Sequence, residues 1–135
     1  MTEVNVQYLG DLRTQCTHVE SGSQILTDAP KDNQGLGREF SPTDLIAASI
    51  GSCTLTIMAI AANRLSVDLT GTQAKVIKEM QAAPRRIAKL TVTVSCPHQF
   101  EESIVQKLIA AAHQCPVLKS LLPEIEVKID FHWGV

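Results

Sequence analysis

The chain opens on alternation. Val4 to Leu9 reads VNVQYL, with apolar positions recurring at the two-residue period of a strand. Gly10-Asp11 marks a turn. Leu12 to Val19 (LRTQCTHV) supports a second strand, with Leu12, Thr14, Cys16 and His18 on one face and Arg13, Gln15, Thr17 and Val19 on the other. Ser21-Gly22 is a second turn, and Ser23 to Asp28 (SQILTD) a third strand. The N-terminal part is therefore expected to be an antiparallel meander. Ala29 to Phe40 (APKDNQGLGREF) is polar, contains Pro30, Gly35 and Gly37, and reads as a loop that carries Arg38 up to the next element.

The period then changes. Leu45 to Asn63 contains no charged residue. Ser41 suits a helix N-cap, Pro42 the first helical position, and Asp44 the first turn, where the helix dipole favours an anion. One long helix is predicted, apolar or small on every face, so other protein must cover it all round. Cys53 is at its centre.

Beyond Arg64, Val67 to Met80 reads as extended and Gln81-Ala82-Ala83-Pro84 as a turn. Arg86 to Cys96 (RIAKLTVTVSC) alternates most clearly, with Ile87, Lys89, Thr91, Thr93 and Ser95 on one face and Ala88, Leu90, Val92, Val94 and Cys96 on the other. The two stretches are expected to pair as a hairpin. Pro97 breaks the strand. Glu101 to His113 is an amphipathic helix with Ile104, Leu108, Ala111 and Ala112 inward. Pro116 ends that helix and starts a short one, Pro123 closes it, and Glu124 to Phe131 (EIEVKIDF) is a last strand. The sum is an α+β chain with mainly antiparallel sheet, one domain over residues 1–135.

Composition narrows the function classes. A net charge of −2 gives no electrostatic case for nucleic acid or an anionic membrane. The stretch Leu45–Asn63 has marginal length for a membrane span and carries Ser49, Gly51, Ser52, Thr54, Thr56 and Asn63, so it reads as a core helix. The N-terminus lacks a basic segment followed by an apolar run, which predicts no signal peptide and a reducing, cytoplasmic setting. Cys16, Cys53, Cys96 and Cys115 are spaced 37, 43 and 19 residues apart, with no CxxC and no paired Cys/His ladder; neither a structural zinc site nor a disulfide framework is expected. His18, His98, His113 and His132 fall in separate elements and read as surface or rim residues.

The thiols are the remaining chemistry. Cys16 and Cys96 lie inside alternating strands and read as packing. Cys53 has Ser49, Ile50, Thr56 and Ile57 one turn away, none of them charged; unless a cation reaches it, the thiol is a buried hydrophobe. Cys115, before Pro116, is expected near a helix N-terminus, where the dipole favours thiolate. Whether the two thiols meet is a question for the fold.

Two segments point to a family. SPTDLIAASIGSCT (41–54) closely resembles the central-helix motif of the OsmC/Ohr superfamily, the osmotically inducible protein C and organic hydroperoxide resistance proteins. QCPVLKSL (114–121) resembles that family's second-cysteine motif. The loop TDAPKDNQGLGREFSP and the order of elements fit the same pattern. Both cysteine motifs, in this order and 62 residues apart, are specific to the superfamily.

The resemblance implies an intertwined α+β homodimer with long central helices buried between sheets, and two active sites at the subunit interface. By the same analogy the chain is a thiol-dependent peroxidase acting on organic hydroperoxides. Cys53 is then the peroxidatic thiolate, Cys115 the resolving thiol, and a dithiol of the lipoyl type the reductant, with no metal and no bound cofactor. In hydroperoxidase members a glutamate ten residues before the first cysteine pairs with an activating arginine; here that position is Thr43, and Asp44 follows it. Arg13 is the first candidate for the arginine and Arg38 the second. The departure at Thr43 puts the chain nearer the OsmC-like branch. The alternative reading is a non-enzymatic OsmC-like dimer that binds a small apolar ligand or senses thiol redox state, with sulfurs too far apart to bond.

Overall fold

The structure is a computed structural model that describes residues Met1–Val135. In chain order the elements are β1 (Val4–Gly10), β2 (Arg13–His18), β3 (Gln24–Asp28), a single 3-10 turn (Lys31–Asn33), α1 (Pro42–Arg64), β4 (Gln73–Ala82), β5 (Arg85–Cys96), α2 (Glu102–Ala112), α3 (Pro116–Ser120) and β6 (Glu126–Trp133). They form two compact units, Met1–Ile46 and Ala47–Val135.

The first unit holds the expected meander, antiparallel in the order β1-β2-β3. Asp11 and Leu12 link β1 to β2 with φ of 56° and 59°, the left-handed turn that matches the twist of a hairpin. Register sets Val6, Cys16 and Ile25 in one row, and Tyr8, Thr14 and Thr27 in the next. The hydroxyls of Thr14 and Thr27 bond to each other across β2 and β3. Val4, Val6, Tyr8 and Ile25 remain exposed, so the apolar face of this sheet is uncovered within one chain.

The start of α1 follows the sequence closely. Ser41 Oγ accepts from the Asp44 N–H at 3.1 Å, and Asp44 Oδ2 accepts from the Ser41 N–H at 2.9 Å. This is a reciprocal capping box with aspartate in the usual glutamate place, built around a buried Ser41.

In the second unit the sheet order is β4-β5-β6. The β4–β5 hairpin is antiparallel as expected, but β5 and β6 run parallel. The alternation of EIEVKIDF identifies a strand without identifying its direction; the direction follows from α2 and α3, which carry the chain back to the same end of the sheet. The last strand also runs two residues later than expected, Glu126–Trp133. Residues 67–72 are not strand. Asp68 Oδ1 accepts from the N–H and hydroxyl of Thr70, the Thr72 N–H bonds to the Leu69 carbonyl, and Gly71 has φ +91°, so a turn delays β4 to Gln73.

Ile87 is a second correction. Its expected place was opposite Leu90 and Val92, yet it is buried with them. Glu79 pairs with Lys89 and Met80 with Ile87, leaving Ala88 as the extra residue of a bulge that turns Ile87 to the core face. In α2 the buried stripe is Val105, Leu108 and Ala112, with Ile104 and Ala111 only partly covered.

From Ala47 onward α1 belongs to this second core. Ile50, Gly51, Thr54, Met58 and Ala62 form its buried stripe, and they pack with Leu90, Val92, Val94, Cys96, Leu108 and Ala112. Gly51 permits the close approach: a Cβ there would lie 2.9 Å from Val76 Cγ2 on β4. The expectation of cover on every face is met along this stripe only. Ile46 and Ile60 are 38% and 44% exposed, and Ala48, Ser52 and Thr56 lie on the open side with them.

Candidate functional site

Cys53 stands midway along α1 and is partly buried. Two of the hydroxyls near it on the helix are engaged with the backbone. Thr54 Oγ1 donates to the Ile50 carbonyl at 2.7 Å, and Thr56 Oγ1 to the Ser52 carbonyl at 2.9 Å.

Cys115 is fully buried at the N-cap position of α3, with Pro116 as first helical residue. Its own N–H bonds to the Ala112 carbonyl at 3.3 Å and its carbonyl accepts from Lys119 N–H at 3.1 Å, so its backbone is tied to the end of α2 and to α3. The fold brings this thiol near Cys53, with no disulfide between them. Burial pushes the Cys115 thiol up, the neighbouring Cys53 thiol pushes it further, and the N–H groups of Leu118 and Val117 pull it back only in part. The helix terminus expected to favour a Cys115 thiolate is thus present, but loss of solvent outweighs it.

Cys96 is buried in the β5 core, as expected of packing, and Cys16 is partly buried in the β2 row between Val6 and Ile25. The four histidines do not converge: His18 Nδ1 bonds Ser21 Oγ, His98 Nε2 bonds the Thr70 carbonyl, His113 meets the edge of Phe131, and His132 is exposed. No group of three His, Cys, Asp or Glu side chains is arranged to hold a metal ion.

The charged candidates all lie in the first unit. Arg38 donates from Nε to Asp28 Oδ2 at 2.8 Å and from Nη2 to Asp11 Oδ2 at 3.1 Å, and its backbone N–H also reaches Asp28 Oδ2, at 3.0 Å. Asp28 and Asp11 together raise the Arg38 guanidinium above its ordinary value. Arg13 has Glu39 at 4.0 Å, and its Nε is buried without a hydrogen-bond partner. Asp44 belongs to the α1 cap.

Asp28 is the residue that sequence reasoning missed. It is 1% exposed, faces Arg13 across the β2–β3 register, and leaves Oδ1 buried without a partner. The sequence carried no direct signal: a turn at Ser21-Gly22 would set Asp28 opposite Gln15, and only the observed register brings it level with Arg13. The hydrogen bond from the Arg38 side chain, then that from its backbone N–H, holds the Asp28 carboxyl below its ordinary value of 3.8, against the opposing effect of burial. A depressed native value contributes stability above pH 3.8 that is lost as pH falls through the lower native value. Asp28→Asn should therefore be less stable than the parent at neutral pH, and the gap should close below about pH 4. Urea midpoints across pH measure this; a gap of constant size would mean that the carboxylate charge contributes nothing.

An unbonded pair of thiols, one on a long helix over a mixed sheet and one at a cysteine-proline helix start, defines an OsmC-type protein. A family model for OsmC-like protein matches residues 34–130. A protein of Psychrobacter arcticus named for osmotic stress induction and a detoxification response is 43% identical, with 98% of this chain and 96% of that one covered and a TM-score of 0.93. An organic hydroperoxide resistance protein OsmC from Legionella pneumophila, 17% identical, covers 98% and 96% with a TM-score of 0.79. An OsmC like protein from Mycoplasma pneumoniae, 12% identical, covers 100% and 98% with a TM-score of 0.83; these last two show the fold alone. No curated protein matches the chain. The chain belongs to the OsmC-like family.

Proposed function

We propose that this chain is a thiol peroxidase that reduces organic hydroperoxides through Cys53 and Cys115. The observation that carries the reading is the meeting of two reduced thiols 62 residues apart in sequence. In the first step the Cys53 thiolate attacks the distal oxygen of ROOH. The O–O bond breaks, Cys53 becomes a sulfenic acid, and the alkoxide leaves as ROH after taking a proton. In the second, Cys115 sulfur attacks the sulfenic sulfur, the S–S bond forms and water leaves. A dithiol returns both cysteines to thiols and is itself oxidised to a disulfide.

Arg13 is the preferred activating cation, because its Nε is unpaired while Arg38 is held by two aspartates. A second copy of the chain is proposed to cover the open side of α1 and the exposed face of β1–β3, giving a homodimer. The non-enzymatic alternative anticipated separated sulfurs; their proximity favours the redox reading.

Stopped-flow mixing of reduced protein with an alkyl hydroperoxide and, separately, with hydrogen peroxide tests the proposal. A stoichiometric Cys53–Cys115 disulfide should form, faster with the alkyl substrate. No disulfide at millimolar hydroperoxide would remove the peroxidase assignment.

A further inference from the structure

We propose that Asp28 is the positioning residue for Arg13: anchored on Arg38 through Oδ2, its buried carboxylate presents Oδ1 to the Arg13 guanidinium and fixes the place of that cation. The pairing stands on the first unit alone. It rests on the reading of Arg13 as the activating cation only for its consequence at Cys53.

Two unsatisfied polar atoms share one row of the meander. Arg13 and Asp28 are directly opposite on β2 and β3, so their side chains leave the same face. The Cβ atoms of such a pair are about 4.5–5.5 Å apart, well within the reach of an arginine. Arg13 Nε is a buried N–H without an acceptor, and Asp28 Oδ1 is a buried carboxylate oxygen without a donor. Each is costly to leave unpaired, and each supplies what the other lacks.

Asp28 is fixed well enough to hold a cation still. It is 1% exposed, and its Oδ2 accepts from both the backbone N–H and Nε of Arg38, at 3.0 and 2.8 Å. Its own N–H bonds to the Phe40 carbonyl at 3.0 Å, and Thr27 bridges to Phe40 beside it. Strand and carboxylate are therefore both tied down, and Oδ1 is left for a donor from elsewhere. Glu39 is the contrasting acid. It lies 4.0 Å from Arg13 Nη2, beyond hydrogen-bond range, with its side chain 39% exposed, so it restrains Arg13 little. A guanidinium carries five N–H donors; engaging one on Asp28 leaves the others for a thiolate.

The test compares parent, Arg13→Met, Asp28→Asn, the double variant and Glu39→Gln at neutral pH, each checked for folding by circular dichroism. In urea, Arg13→Met should lower the midpoint of the parent and hardly that of Asp28→Asn; additive losses would overturn the inference. Peptide-resolved alkylation of Cys53 by iodoacetamide, without peroxide, should slow on the order of tenfold in Arg13→Met and about threefold or more in Asp28→Asn. The double variant should be no slower than Arg13→Met, and Glu39→Gln should keep the parental rate. The sign is decisive. Removing an anion from beside a cation would by charge alone favour the thiolate and speed alkylation; only a displaced Arg13 slows it. Slow alkylation in Arg13→Met with parental or faster alkylation in Asp28→Asn would therefore overturn the inference. Coupled urea midpoints with parental alkylation in Arg13→Met would uphold the pairing and overturn Arg13 as the activating cation. The expected alkylation order with no Cys53 sulfenate in any protein after alkyl hydroperoxide would uphold it and overturn the peroxidase reading. If Asp28→Asn does not fold, Asp28→Glu, which keeps the charge but moves it by one methylene, takes its place in both measurements, and the same outcomes decide.

Discussion

Cys53→Ser should abolish hydroperoxide turnover, with a loss on the order of a thousandfold or more in dithiol-coupled peroxide consumption. In the proposed reaction the thiolate is the attacking species, and a serine hydroxyl at neutral pH supplies almost no anion and a far weaker nucleophile toward oxygen. The variant keeps the size and helical setting of the side chain, and a hydroxyl at this place can bond a carbonyl of its own helix as Thr54 and Thr56 do, so folding should be little changed. Cys16→Ser and Cys96→Ser are the controls. Cys16 is in the β2 row and Cys96 in the β5 core, and the proposed reaction uses neither, so turnover should persist in both, with Cys96→Ser losing stability because it buries a hydroxyl. Parental consumption by Cys53→Ser would transfer the chemistry to another residue.

Met58→Ala should cost about 2–5 kcal/mol of stability, the largest structural effect expected from a single truncation on α1. Met58 is fully buried in the stripe that α1 presents to Leu90, Val92 and Val94. Removing a fully buried thioether leaves a cavity in a close-packed core, and a core that relaxes only in part keeps that cost. Ile60→Ala, on the open side of the same helix, is the contrast. Within one chain it should change little, because Ile60 is 44% exposed. If a second copy covers that side, its cost will grow with protein concentration. Chemical denaturation at two concentrations separates the cases; a Met58→Ala loss no larger than that of Ile60→Ala at low concentration would contradict the placement of the helix.

Much of this was legible in the chain, for reasons that differ by element. The α1 start was readable because its signals are local: Ser41, Pro42 and Asp44 act on one another within a turn. The inward set Leu90, Val92, Val94 and Cys96 was readable because a period of two assigns faces without knowledge of the partner strand. Ile87 broke that rule because a bulge is a property of two strands, and only the mismatch between β4 and β5 inserts Ala88. The parallel pairing of β6 is a property of topology, hidden from an alternating octapeptide for the same reason. At the site, the motifs around Cys53 and Cys115 suggested a pair that spacing alone left open. The sign of the Cys115 shift was misjudged, since a helix start is visible in Cys-Pro and complete burial is not. Asp28 was overlooked because its distinction comes from Arg38, ten positions along a loop that carries no periodicity.

The parallel crossover also sets when the thiol pair comes into being. Cys115 sits on the connection between β5 and β6, which the parallel pairing of those strands closes. Such pairing closes a long stretch of chain and is slow compared with forming α1 or the β4–β5 hairpin. Until it closes, Cys53 and Cys115 are two unrelated thiols with ordinary reactivity, unlike a CxxC pair, which is a couple from the moment it is synthesised. The meeting of the two thiols is therefore a product of tertiary closure and not of local sequence.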